Sequence, residues 1–70
     1  MDNINIVTVT HRNRGSGGIY TITGTDEQAV KHRTEIERSN LDFMSSPRVL
    51  DFGFNEHGVY KMEVTYYGLD

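Results

Sequence analysis

Leu50, Phe52 and Phe54 alternate with Val49, Asp51 and Gly53, and shortly afterwards Tyr60, Met62, Val64 and Tyr66 alternate with Lys61, Glu63, Thr65 and Tyr67. A period of two puts each set on one face of a strand. Between the two runs, Asn55-Glu56-His57-Gly58 has turn composition, and Gly58 can take the left-handed conformation that a tight turn uses. The stretch from Arg48 to Tyr67 therefore predicts a β-hairpin. Its large apolar residues, Leu50 through Tyr66, are expected to form the core face, with Phe52 central to it. Val49, Asp51, Val59, Lys61, Glu63 and Tyr67 share the opposite parity and are expected to point away from the core.

The pattern is weaker upstream. Asn3 to His11 predicts a strand in which Ile4 and Ile6 share one face and Val7 and Val9 the other. That flip calls for a bulge or for two partly covered faces. Arg12 to Gly18 reads RNRGSGG, without one apolar side chain, and predicts a mobile connector. Ile19 to Thr23 predicts the second strand, ended by Gly24. Thr25-Asp26-Glu27-Gln28 matches a capping box, with Thr25 as N-cap and Gln28 reaching back. The helix is expected from Asp26 to about Ser39, stopped by a left-handed Asn40. Its stripe of Ala29, Val30, Arg33, Ile36 and Leu41 is thin and buries one narrow side. Leu41, Phe43 and Met44 are expected to plug the open end of the core. Pro47 keeps the chain extended before Arg48.

The order is β-β-α-β-β. It predicts one α+β domain over residues 1–70, a four-stranded, mostly antiparallel sheet with one helix packed on one face. One helix cannot cover both faces of a sheet. The far face, including Val49, Val59 and Tyr67, is left to solvent or a partner.

Composition narrows the supports available to such a domain. A chain of 70 residues builds a core typically worth only about 3–5 kcal/mol net. There is no cysteine, so disulfides and thiolate metal sites are excluded. That leaves a metal held by histidines and carboxylates, a partner, a homodimer or a well-idealised fold. The N-terminal MDNINIVTVT lacks a basic region and a long apolar run, so no signal peptide is expected. No stretch approaches the ~20 apolar residues of a membrane span. A cytoplasmic protein in a reducing compartment is the expectation.

Charge adds a direction. The formal net charge is -3, and it is uneven: residues 1–24 carry +1, residues 25–48 carry -1 and residues 49–70 carry -3. The C-terminal hairpin is the acidic end. Nucleic-acid affinity comes largely from phosphate neutralisation, so an acidic hairpin points instead to a basic protein surface.

Candidate chemistry is sparse. The Arg12–Gly18 loop could wrap phosphates with arginines and backbone amides. It is no Walker loop, because no Lys-Ser/Thr follows Gly18, and no dinucleotide fingerprint, because Tyr20 stands where the last glycine is needed. His11, His32 and His57 form no HxH or HxxxH pair and fall on three different elements, so no metal or cofactor is expected. The serines lie in no nucleophile signature, and no catalytic residue is assigned. Tyr60, Tyr66, Tyr67, Phe52 and Phe54 could stack on bases, but alternation assigns all except Tyr67 to the core.

The layout is similar to that of many small phage or plasmid accessory proteins. Some of those cover a basic surface of host machinery, as anti-CRISPR proteins do. That likeness is one of layout alone and shares no motif. The function expected is a non-catalytic protein-binding module, an inhibitor or adaptor, with Val49, Asp51, Val59, Glu63 and Tyr67 at the interface. The alternative is a nucleic-acid-binding module using Arg12, Arg14, Lys31, Arg33 and Arg38. A small enzyme or metal protein ranks third.

Overall fold

The computed structural model describes residues 7–41 and 46–67. Four antiparallel strands form one open sheet with a single helix, in the order β1 (Val7–Arg14), β2 (Gly17–Gly24), α1 (Glu27–Ser39), β3 (Arg48–Phe54) and β4 (Tyr60–Tyr66). This is the expected β-β-α-β-β, α+β arrangement. The sheet order is β1-β2-β4-β3, so β4 enters between β2 and β3 and the edges are β1 and β3. The expected register flip at Ile6, and the plug formed by Phe43 and Met44, lie outside the described residues. Leu41 is half-buried and packs on the core as expected.

The core lies between α1 and the two central strands. Ile22, Tyr60, Met62, Val64 and Val30 are its buried apolar residues. Ile22 faces Met62 and Tyr20 faces Val64 across the β2–β4 ladder. Full burial of side chains of this kind is worth roughly 1.5–3 kcal/mol each. On α1 the buried positions are Val30 and Thr34, with Glu37 half-buried on the same side and Leu41 half-buried just beyond the helix end. Thr34 was not expected there. Its hydroxyl donates to the Val30 carbonyl oxygen at 2.7 Å and lies 3.6 Å from the Met62 sulfur, so the buried polar group is satisfied. Arg33 and Ile36, assigned to the buried stripe, are exposed.

The helix ends also differ in detail. Asp26, not Thr25, is the N-cap, and its Oδ1 accepts from the Gln28 and Ala29 amides at 2.9 and 3.4 Å. A cap belongs where the side-chain oxygen reaches the second or third helical amide, and the helix starts one residue later than the capping box implies. Asn40 ends it in the right-handed region, at φ -81 and ψ -9, rather than in the left-handed one. The Glu27–Lys31 pair forms as expected, at 2.7 Å.

Most of the glycine-rich segment is strand rather than connector. Arg12, Asn13 and Arg14 continue β1, and Gly17 and Gly18 begin β2, in unbroken register. Only Gly15 and Ser16 form the turn. Gly15 has φ 57, as the first position of a two-residue II′ turn demands. Gly17 and Gly18 are needed for a different reason. The end of β4 crosses so closely that a Cβ on Gly18 would lie 2.6 Å from the Tyr66 hydroxyl, and one on Gly17 would run into the Tyr66 carbonyl oxygen.

In the second hairpin, the turn and β4 match expectation. Asn55 Oδ1 accepts from the His57 and Val59 amides at 2.7 and 3.1 Å, and Gly58 has φ 76. β3 is inverted. Val49 lies opposite Val64 and Asp51 opposite Met62, so Val49 and Asp51 face the helix side and Leu50 and Phe52 face away. A bulge between Asp51 and Gly53, with Gly53 at φ 75, then returns Phe54 to the helix side, edge-on to Tyr60 at 4.8 Å. Phe52 and Phe54 are 54% and 52% exposed, so neither is the core residue that alternation suggested. The physical reason is that an edge strand takes its facing from the strand it pairs with, and a one-residue offset swaps every side chain.

Candidate interaction surface

The open face of the sheet is reached by reading outward from the positions opposite the core. One row across it is Arg12–Ile19–Thr65–Arg48, and the next is Thr10–Thr21–Glu63–Leu50. A third holds Thr8, Thr23 and Lys61, with Phe52 in the bulge beside Lys61. Arg14 lies beyond the first row, and Tyr67, 67% exposed, follows the end of β4. Two open hollows lie on this side. One, of about 350 Å³, is bounded by Thr10, Arg12, Ile19, Thr21, Lys61 and Glu63 among others. The other, of about 430 Å³, lies at the turn between Arg14, Ser16, Thr65 and Tyr67.

The electrostatics of this face reverse the expectation from composition. It carries Arg12, Arg14, Arg48 and Lys61 against Glu63 alone, although the chain totals -3. Glu63 sits 3.6 Å from the Lys61 ammonium, its side chain only 19% exposed. The same ammonium lies 5.0 Å from the centre of the Phe52 ring, a cation–π distance. Among the described residues, no ion pair involves Arg12, Arg14 or Arg48. The helix bases are in a different position, on the other side of the sheet. Lys31, Arg33 and Arg38 each pair with a helical glutamate, Glu27, Glu37 and Glu35, at 2.7, 2.8 and 2.8 Å. Pairing raises the pKa of Lys31 through its hydrogen bond to Glu27, and that of Arg38 through its bond to Glu35.

The expected interface set is therefore divided. Glu63 and Tyr67 remain on the open side. Val49 packs against the core. Val59 is half-buried in the turn before β4. Asp51 turns to the helix side, where its Oδ2 accepts from the Tyr60 hydroxyl at 2.7 Å and its Oδ1 from the Gly53 amide at 3.0 Å. The alternative phosphate-binding set is divided too, with Arg12 and Arg14 on the open face and Lys31, Arg33 and Arg38 on α1. Sequence reasoning placed Lys61 on this side with Glu63 and Tyr67, but missed Arg48, Leu50 and Phe52 as members of the same surface. A glycine inside a strand, Gly53, was the available sign that parity changes there.

On the helix side, His11, Tyr20 and Tyr66 form a small aromatic group. His11 Nε2 and the Tyr66 hydroxyl are 2.6 Å apart, and the His11 ring stacks on Tyr20 at 4.5 Å. Burial, then the neighbouring Tyr66 and Glu37, push the Tyr20 phenol pKa up. Tyr66 reaches His11 by lying over Gly18, which is how that glycine shapes the group. Among the described residues, no three histidine or carboxylate side chains are grouped to hold a metal, and no helix is long and apolar enough to cross a membrane. Comparison with protein-family models, curated proteins and solved structures finds no match to this chain.

Proposed function

We propose that the chain is a non-catalytic binding module acting on a protein partner, as an inhibitor or adaptor, through the open face of its sheet. The observation that carries this reading is the make-up of that face. Ile19, Leu50, Phe52 and Tyr67 stand among Arg12, Arg14, Arg48 and Lys61 on a sheet face that no other element covers among the described residues. Aromatic residues and arginine are enriched where proteins meet, with apolar anchors inside a polar rim. The charge complements an acidic partner surface, opposite in sign to the one suggested by composition. Blocking host machinery, in the manner of a phage accessory or anti-CRISPR-like protein, is one form such an inhibitor takes. A cysteine-free chain suits a cytoplasmic setting.

Four bases with Thr8, Thr10, Thr21, Thr23 and Thr65 on one face favour a second reading, phosphate contacts to nucleic acid. Two features count against it. Glu63 occupies the middle of the face, and neither β2 nor β4 turns an aromatic ring to the open side, where a stacking platform needs one.

The test uses two altered surfaces. Arg12→Glu, Arg48→Glu and Phe52→Ser together change the open face, and Lys31→Glu with Arg38→Glu changes the helix. A protein captured from the expressing cells should be lost with the first variant and kept with the second. Retention by the open-face variant sinks the proposal. A labelled (dT)20 strand titrated across salt concentrations tests the second reading, which requires binding that weakens steeply with salt and disappears in the open-face variant.

A further inference from the structure

We infer that β1 pairs antiparallel with β1 of a second copy, across a two-fold axis at Thr10, so that two four-stranded sheets become one of eight strands. The two sheet edges are built differently. β3 is guarded by its bulge at Asp51/Gly53 and is preceded by Pro47, both devices that discourage pairing. β1 has neither. Its eight residues contain no proline or glycine, run in unbroken register with β2, and are exposed from Thr10 to Arg14. A row of outward amide and carbonyl groups of this length is a template for another strand.

Register and chemistry select a second copy as the occupant. A two-residue turn closes on the Arg14–Gly17 pair, so by alternation Arg14, Arg12, Thr10 and Thr8 bond to β2, while the peptide groups of Val7, Val9, His11 and Asn13 point outward. Opposed residues must share a face, hence the same parity. Centred on Thr10, Val9 meets His11 and Val7 meets Asn13 of the second copy through those outward groups. On the open side Thr8 meets Arg12, and Thr10 meets its own equivalent, a favourable cross-strand pair. No arginine opposes an arginine, whereas a register centred on Arg12 would force that clash of like charges. Val7 and Val9, packed at the rim of the core, gain cover on the helix side. The contact is isologous, so it closes at two copies. The two open faces become continuous, with Arg12 of both copies flanking the axis.

The test follows from the axis. Thr10→Lys and Thr10→Asp each place like charges opposite one another, and the fold should survive because Thr10 is exposed. In sedimentation velocity, the wild-type mass should rise with concentration from 8.0 kDa toward twice that value. Each variant alone should stay monomeric with an unchanged circular dichroism spectrum, and an equal mixture of the two should dimerise again. Thr10→Cys supplies a readout independent of affinity, since the chain has no cysteine to compete. Mild oxidation should cross-link it far more completely than Thr8→Cys, which faces Arg12. A wild type that remains at 8.0 kDa at every concentration overturns the inference. So does a Thr10→Lys protein that dimerises as the wild type does, which would move the contact to another surface such as Leu50 and Phe52.

Discussion

The Tyr60 hydroxyl donates to Asp51 across the β3–β4 ladder at 2.7 Å, and this bond marks which way β3 faces. Asp51 can reach Tyr60 only from the helix side. That placement leaves Leu50 and Phe52 on the open face and turns an expected acidic surface into a basic one. The same carboxylate holds the Gly53 amide at 3.0 Å, so one side chain both anchors the strand and shapes its bulge.

This bond predicts a loss of stability in alkali. The Tyr60 phenol pKa is raised above its usual value, first by the hydrogen bond to Asp51, then by burial and by the Asp51 charge. The folded protein thus holds the proton more tightly than the unfolded chain. Its contribution is full below the ordinary phenol pKa of about 10 and is lost as pH rises through the folded value. Tyr20 acts in the same direction. Urea midpoints measured across this range should fall with pH, and Tyr60→Phe or Asp51→Asn should flatten the fall. An unaltered alkaline limb in Tyr60→Phe would remove the hydrogen bond as its source.

Core and surface aromatics should separate cleanly on truncation. Met62→Ala removes a buried side chain and should cost about 2–5 kcal/mol, enough to unfold much of a domain this small. Phe52→Ala, on a half-exposed ring, should stay within about 1 kcal/mol of wild type. Chemical denaturation decides it. A Phe52→Ala loss as large as that of Met62→Ala would restore Phe52 to the core.

The helix cap gives a sharper local contrast. Asp26→Ala removes the oxygen that accepts from Gln28 and Ala29 and should cost about 1 kcal/mol. Thr25→Ala should be close to neutral, since its neighbour holds the cap. Equal losses at the two positions in thermal melts would argue for a shared capping box.

Gly18 and Tyr66 should behave as one unit. Gly18→Ala drives a methyl against the Tyr66 ring, at 2.8 Å from Cζ, and against the Arg12 carbonyl oxygen at 2.9 Å. Overpacking of this kind typically costs about 1–3 kcal/mol. Adding Tyr66→Ala should recover part of the loss, so the double change should be less damaging than the sum of the two. Strict additivity would mean that the backbone contact alone carries the cost.

Periodicity and local chemistry by themselves determined the kinds of element and their order. The helix over residues 27–39, the turn at Asn55–Gly58 and the alternation of Tyr60, Met62 and Val64 are local properties, set by neighbours within a few residues. They were legible because β4 is a central strand that the helix covers, so burial selects apolar residues at every second position. Only the tertiary structure decided the rest. Which face β3 shows depends on its pairing with β4 and on a bulge, and parity counted along one strand contains neither. Thr34 reads as polar until the Val30 carbonyl and Met62 are placed around it. The basic open face is assembled from Arg12, Arg14, Arg48 and Lys61, residues drawn from three different strands and far apart in sequence. Summing charge along the chain therefore assigned the acidic hairpin to that surface, while the sheet brought the bases together there and turned Asp51 away.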